Sequence, residues 1–277
     1  MQETTSSNPS YLADNINSRD DIMRNLLEHS SIKQILSTFN FEFEKINGPA
    51  ILLRALTHNS FVFERPHLML ESYEKLEFLG DSVLGTLVTT YLMEMFPELS
   101  EGNLSKFRGA VVNEKSLADL ARFINLGPCL LLGKGELKAR GFDKDRILAD
   151  SFEALIGAIY LDGGFGEVNA SFLNLLKSYE SEKGESFITL DKLFDFDSKT
   201  QLQEVTMGFF KEFPIYKSHA IGENKFLIEV YLKGKLLKSL ESDSKKKGEH
   251  QLARIVLQEQ TYLTIGERQC LSPISIH

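Results

Sequence analysis

Residues 74–85 read EKLEFLGDSVLG, three acids set among Leu, Phe, Leu, Val and Leu. Their spacings of three and four predict a helix on which Glu74, Glu77 and Asp81 share one stripe about two turns long. Like charges so placed repel, and the stripe calls for an outside partner. A second set answers it. Asp150 and Glu153 stand three apart in ILADSFEALIGA, again among apolar side chains and with no cationic residue at i±4 inside that segment. If the two helices pack side by side, four acids converge, and burying them unpaired is costly unless they share protons or a hard divalent cation. Oxygen ligands suit Mg²⁺ or Mn²⁺, which keep several waters and engage phosphates. A solvated acidic face is the other reading of the same residues, and spacing alone leaves both open.

The 277 residues leave room for one large domain or two ordinary ones, and 42% apolar composition is ample for packed cores. No run of roughly 18 apolar residues would span a bilayer. The opening 30 residues lack the apolar core of a signal peptide, so a soluble, cytoplasmic protein without membrane contact is expected. Cys129 and Cys270 are too few and too isolated for a disulfide framework or a thiolate metal site. A net charge of −8 argues at first against a nucleic-acid partner. Its distribution matters more. Residues 197–260 carry 11 Lys and Arg against 9 Asp and Glu, a net of +2, which leaves −10 for the rest. That asymmetry favours two modules, an acidic one that binds cations and another that meets phosphates.

Residues 1–28 are rich in Ser, Asn and Asp with no sustained period and read as a loosely ordered extension. Helical patterns follow, with Ser31 as an N-cap of SSIKQILSTF and Pro49 in the first turn of PAILLRALTHNS. The acidic segment runs on to Pro97, two more helical stretches close at Gly127, and a Gly- and charge-rich loop leads into ILADSFEALIGAIYLDGG, which stops at Gly163 and Gly164. One more helix is expected at 167–180. Nothing in residues 30–180 alternates as a strand does, so this domain, bounded at 29–180, is expected to be all-α. Residues 181–196 read as a linker in which Phe187, Leu193 and Phe194 suggest partial docking. Residues 197–261 then show the order α-β-β-β-α, a small α+β module, and 262–277 form a tail.

EKLEFLGDSVLG resembles the signature of the ribonuclease III family, whose usual form begins Glu-Arg-Leu-Glu-Phe-Leu-Gly-Asp-Ser, with Lys75 here in place of Arg. The resemblance extends in order through ALTHNS at 55–60, LSKFRGAVVN at 104–113, LGKGE at 132–136 and ILADSFEALIGAIYLDGG at 147–164. It implies an all-α endonuclease domain with Glu77, Asp81, Asp150 and Glu153 as divalent-metal carboxylates, Asp81 and Glu153 being the catalytic ones. Glu74 falls on an acid that in the family helps shape the dimer interface and catalytic valley. The implied chemistry is Mg²⁺-dependent hydrolysis of double-stranded RNA, with Mn²⁺ as a substitute, by a homodimer that leaves 5′-phosphate and 3′-hydroxyl ends. Processing of structured precursors such as rRNA is the implied role. No His or Ser nucleophile is required, so His58 is read as structural.

The C-terminal module resembles a double-stranded RNA-binding domain, which reads A-form shape and phosphates. SKTQLQE matches the start of its first helix, making Thr200, Gln203 and Glu204 the implied minor-groove contacts. SKKKGEH matches the start of the last helix, where Lys245 and Lys246 can reach phosphates. The module departs from the pattern in the short IGENKF connection, where Asn224 and Lys225 can substitute as contacts. It departs again in Leu240, Ser242 and Asp243 before the lysines, and in Gly248, whose place in a helix costs about 1 kcal/mol against Ala. Arg146 stands where the family has a Ser; with Arg140 and Lys144 it either touches the duplex or lies in a solvated loop. The rivals to the nuclease reading are a catalytically silent RNA binder and a helical protein whose metal is structural.

Overall fold

Two helices, Glu74–Met95 and Asp145–Lys183, meet backbone to backbone. A Cβ at Gly80 would collide with the carbonyl oxygen of Glu153, and one at Gly157 would collide with that of Leu76 and stand 3.2 Å from the Gly80 nitrogen. As one helix advances from 76 to 80 the other retreats from 157 to 153, so the pair is antiparallel. Ala154 and Ala158 keep the same surface flat, and Leu76 and Tyr73 close over it in one buried cluster with Ala55.

The computed structural model describes residues 18–43, 48–222 and 225–265. The described helices are α1 (Arg19–Glu28), α2 (Ser30–Phe39), α3 (Gly48–Ala55), α4 (Asn59–Glu64), α5 (Glu74–Met95), α6 (Glu101–Val111), α7 (Glu114–Phe123), α8 (Lys134–Lys138), α9 (Asp145–Lys183), α10 (Leu190–Phe210) and α11 (Lys245–Glu259). The strands are β1 (Ile215–Gly222), β2 (Lys225–Leu232) and β3 (Lys235–Ser242). The chain divides into two compact units, Met1–Pro97 with Val111–Phe187 and Glu98–Ala110 with Ile188–His277. Residues 98–110, counted in the sequence with the 29–180 domain, therefore group with the second unit.

The first unit is helical throughout its described elements, and α2, α3, α5 and α7 all pack on α9. That helix is buried all round from Ile147 to Ile159 except at Asp150 and Glu153, which are half-buried. It breaks at Gly164, whose φ of 76° and ψ of −175° suit only glycine, so the sequence stop at Gly163 and Gly164 corresponds to a kink between two helical halves. Arg122 at the end of α7 fixes the start of α9, donating to the Asp145 carboxylate at 2.5 Å and the Asp143 carbonyl at 2.9 Å.

Four local readings are revised. Residues 19–28, assigned to the loose extension, form α1, because Ser18 caps the Asp21 amide at 3.2 Å and Ile22 and Leu26, four apart, are buried together. The cap of α2 is His29 rather than Ser31: its Nδ1 accepts from the Ser31 amide at 3.3 Å. The 181–196 stretch contains the end of α9 and the start of α10, joined through Gly184 in the left-handed region. Phe187 does dock, edge-on to Tyr179 at 5.1 Å. The tail assigned from 262 begins inside the fold, since Tyr262 is buried in the second unit's core. Residues 1–17, Asn224, Cys270 and 266–277 lie outside the described residues, as do the side chains of Leu193 and Phe194.

In the second unit an antiparallel sheet of order β1-β2-β3 pairs Tyr216 with Val230 and Ile228 with Leu240. Its inner face, Ile228, Val230 and Leu232, packs on Leu202 of α10 and on Leu252, Ala253 and Val256 of α11. Gly248, counted above as a cost, is required here. A Cβ would lie 2.7 Å from Ile228 Cγ1 and 2.8 Å from Ser242 Cβ, so α11 reaches the sheet only where no side chain intervenes. No helix among the described residues is long and apolar enough to cross a membrane.

Gly80→Ala is expected to destabilise the protein by about 3 kcal/mol through backbone overpacking. Gly85→Ala, on the same helix with open space around it, is expected to gain about 0.5 kcal/mol. Urea unfolding followed by helical circular dichroism measures both.

Candidate active site

The crossing at Gly80 and Gly157 sets the acids of α5 against those of α9. Glu77 and Asp81 lie three residues before and one after Gly80; Asp150 and Glu153 lie one turn apart just before Gly157. Glu77, Asp150 and Glu153 are half-buried, whereas Glu74 and Asp81 are exposed. Burial, reinforced by Asp81, Asp150 and Glu77, pushes the Glu153 carboxyl up to about 8. Burial also raises Glu77, with Asp150 and Glu74 adding to it and Arg146 opposing. Asp150 is raised by burial and by Glu114, against Arg146. The four acids from two helices thus share one electrostatic neighbourhood with too little positive charge in it.

Among the described residues no three His, Cys, Asp or Glu side chains close around a single point as an ion's cage. The donor chemistry nevertheless fits a hard, hydrated divalent cation. All four candidates offer oxygen, and burial together with the neighbouring acids pushes Glu153 towards holding its proton. A Mg²⁺ that keeps several waters needs only one or two carboxylates directly.

Beside these acids opens a cleft of about 530 Å³ lined by His58, Asn59, Tyr73, Glu74, Glu77, Glu136, Lys144, Arg146, Ile147 and Asp150. Glu74 is held at both oxygens, by Asn59 Nδ2 at 3.1 Å and by Ser72 Oγ at 3.0 Å. Lys144 donates to Glu136. Arg146 Nε lies 3.7 Å from Asp150 Oδ2 across one helical turn. The second acidic set therefore has a cation at i−4 just outside ILADSFEALIGA, in Arg146. Asp81 and Glu153 do not line this cleft.

The distant motifs converge for plain reasons of hydrogen bonding. Thr57 bridges to Leu131 as a short parallel pair, in which Leu131 N donates to Leu56 O at 2.8 Å and His58 N to Leu131 O at 3.0 Å. Tyr73 N donates to Thr57 O at 2.9 Å, and Glu64 accepts from the Lys134 amide at 2.9 Å. ALTHNS and LGKGE are thereby tied beside the first turn of α5. Glu136 carries no assignment in the sequence beyond its place in LGKGE, whereas Lys144, expected either to touch the duplex or to lie in a solvated loop, lines the cleft.

In the second unit Thr200, Gln203 and Glu204 occupy one face of α10 by their spacing of three and four. Thr200 and Glu204 are exposed, and Glu204 meets Lys106 of α6 at 3.4 Å. Lys245 and Lys246 open α11, with Lys245 Nζ 5.2 Å above the Phe226 ring.

A helical domain presenting paired carboxylates, followed by an α-β-β-β-α module, defines the class of two-domain nucleases of duplex-RNA type. The chain belongs to the ribonuclease III family. The family model described as Ribonuclease-III-like matches residues 48–179. Ribonuclease 3 of Syntrophobacter fumaroxidans is 42% identical over 219 residues, covering 77% of this chain and 89% of that protein. Ribonuclease 3 of Campylobacter jejuni is 37% identical over 236 residues, covering 83% of this chain and 97% of that protein. The solved nuclease domain of the Campylobacter jejuni enzyme, described for flexibility in a region involved in dimer formation, is 40% identical. It covers 53% of this chain and 96% of that domain, with a TM-score of 0.48.

A carboxyl raised by folding binds its proton more tightly in the native state, so its ionisation costs stability as pH rises from its ordinary range to its folded value. Metal-free protein is therefore expected to lose melting temperature between about pH 4.5 and the folded value near 8. Glu153→Gln should flatten that decline and raise the metal-free melting temperature at pH 8, as thermal unfolding in EDTA would record.

Proposed function

We propose that the protein is a divalent-metal-dependent endoribonuclease that cuts both strands of duplex RNA as a homodimer. It acts in the cytoplasm on structured precursors such as rRNA. The observation that carries this reading is the convergence of Glu77, Asp81, Asp150 and Glu153 from two packed helices, with Glu153 raised by burial and further by the other three. Mg²⁺, or Mn²⁺ in its place, held by these residues supplies Lewis acidity at a phosphoryl oxygen and lowers the pKa of a water. Water adds at phosphorus and the 3′ oxygen leaves, giving a 5′-phosphate and a 3′-hydroxyl.

The protein's own part is to hold, exclude and orient. Asp81 and Glu153 are the carboxylates closest in role to the reacting phosphate, and Glu153, half-buried, gives up its proton when positive charge arrives. Asn59 and Ser72 fix Glu74. A second copy is supported by apolar exposure: Phe63 is 76%, Met69 84% and Phe78 80% exposed. Phe78 follows Glu74 by one helical turn, on the face where a dimer valley is expected. Thr200, Gln203, Glu204, Lys245 and Lys246 are the proposed RNA contacts of the second unit, which supply affinity without sequence readout.

The test is a perfect RNA duplex labelled on either strand, incubated with Mg²⁺ or with EDTA. Metal-dependent cuts in both strands are expected. Glu153→Gln should lose more than about 100-fold in cleavage, beyond the loss typical of a metal ligand's outer partner, while still binding RNA. Undiminished cleavage by that variant would overturn the assignment, and wild-type binding without cutting would replace it by a silent binder.

A further inference from the structure

His58 was read as structural, and its hydrogen bonds define that role while leaving one atom over. Its Nδ1 accepts from the Ser60 amide at 3.1 Å, capping α4, and lies 2.7 Å from Ser60 Oγ. Ser60 Oγ in turn accepts from the Gly133 amide at 2.9 Å. Because a backbone N–H can only donate, Nδ1 must be the unprotonated nitrogen, and the Ser60 hydroxyl then donates to it as well. The ring proton therefore sits on Nε2. Cationic His58 would need a proton on Nδ1 and would break the cap, in keeping with a pKa lowered chiefly by burial.

The ring packs edge-on against Tyr73 at 5.7 Å and lines the cleft that also holds Glu74, Glu77 and Asp150. Among the described residues Nε2 has no hydrogen-bond partner. The neighbouring acceptors are mostly engaged elsewhere: Glu74 by Asn59 and Ser72, Glu136 by Lys144, Asp150 by Arg146. What remains is a neutral donor of fixed tautomer at the wall of a cleft dominated by carboxylates. A cation in that place would be drawn into an ion pair with them. A neutral N–H stays available to an incoming anion.

We infer that His58 is a substrate-binding residue whose Nε2–H donates to a non-bridging phosphate oxygen of the RNA lying in the cleft. The inference rests on the endoribonuclease reading and assigns one contact within it. A hydrogen bond to a charged group, once lost, lowers kcat/KM by about 10-fold or more.

His58→Asn separates the two roles, because Asn caps helices well and keeps an acceptor near the Nδ1 position while removing the outer donor. The expected result is an unchanged melting temperature with kcat/KM on duplex RNA reduced about 10-fold or more. A folded His58→Asn protein with wild-type kcat/KM would overturn the inference. Should that variant not fold, nitrogen NMR of the wild-type imidazole decides. The Nε2–H tautomer should be present and its Nε2 resonance should shift when duplex RNA is added with Ca²⁺ to suppress cutting; an unmoved resonance overturns the inference. Wild-type protein that fails to cut duplex RNA would overturn the endoribonuclease reading instead, and the imidazole spectrum with the duplex would still decide on His58.

Discussion

The structure of the first unit hangs on a contact between backbones. Gly80 and Gly157 let α5 and α9 approach until each helix touches the other's main chain, and no residue with a Cβ fits at either place. The closeness has an electrostatic result. Side chains that leave the two helices beside the crossing cannot avoid one another, and four of these are acids. Packing that elsewhere would be optimised for apolar complementarity here forces carboxylates together, and the fold holds them in a state that water alone does not satisfy.

The surrounding residues offset part of that cost without removing it. Arg146 stands over Asp150, Lys144 answers Glu136, and Asn59 and Ser72 hold Glu74 with neutral donors. Glu153, already raised by burial, has the acids Asp81, Asp150 and Glu77 as charged neighbours. A site built this way keeps its strongest demand for positive charge at the helix crossing. Ties among Thr57, Leu131, Ser60, Gly133 and Glu64 make the adjoining cleft wall rigid, so the donors in it are placed before substrate arrives.

Much of this was legible in the sequence. The carboxylate stripe, the second acidic pair, the helical first domain and the α-β-β-β-α order all follow from periodicity, and the family follows from five ordered motifs. What escaped did so for identifiable reasons. The pairing of Arg146 with Asp150 escaped because it spans four residues across the edge of the motif. Gly248 looked like a penalty because helix propensity is a local quantity, while its need arises from β2 and β3. The helix α1 lacks a long apolar run and depends on two buried residues and one serine cap. His58 was half understood. Its capping role is local, but where Nε2 lies in the cleft depends on chain segments far from it in sequence.

We propose that the carboxylates brought together by the helix crossing take up a divalent cation, Glu153 giving up its proton as the cation binds. Calorimetric titration of Mg²⁺ or Mn²⁺ into the full chain at neutral pH, repeated in buffers of different ionisation enthalpy, tests this directly. The account predicts saturable binding with net release of protons, and loss of that release in Glu153→Gln. Absence of binding, or binding that releases no protons, would contradict it.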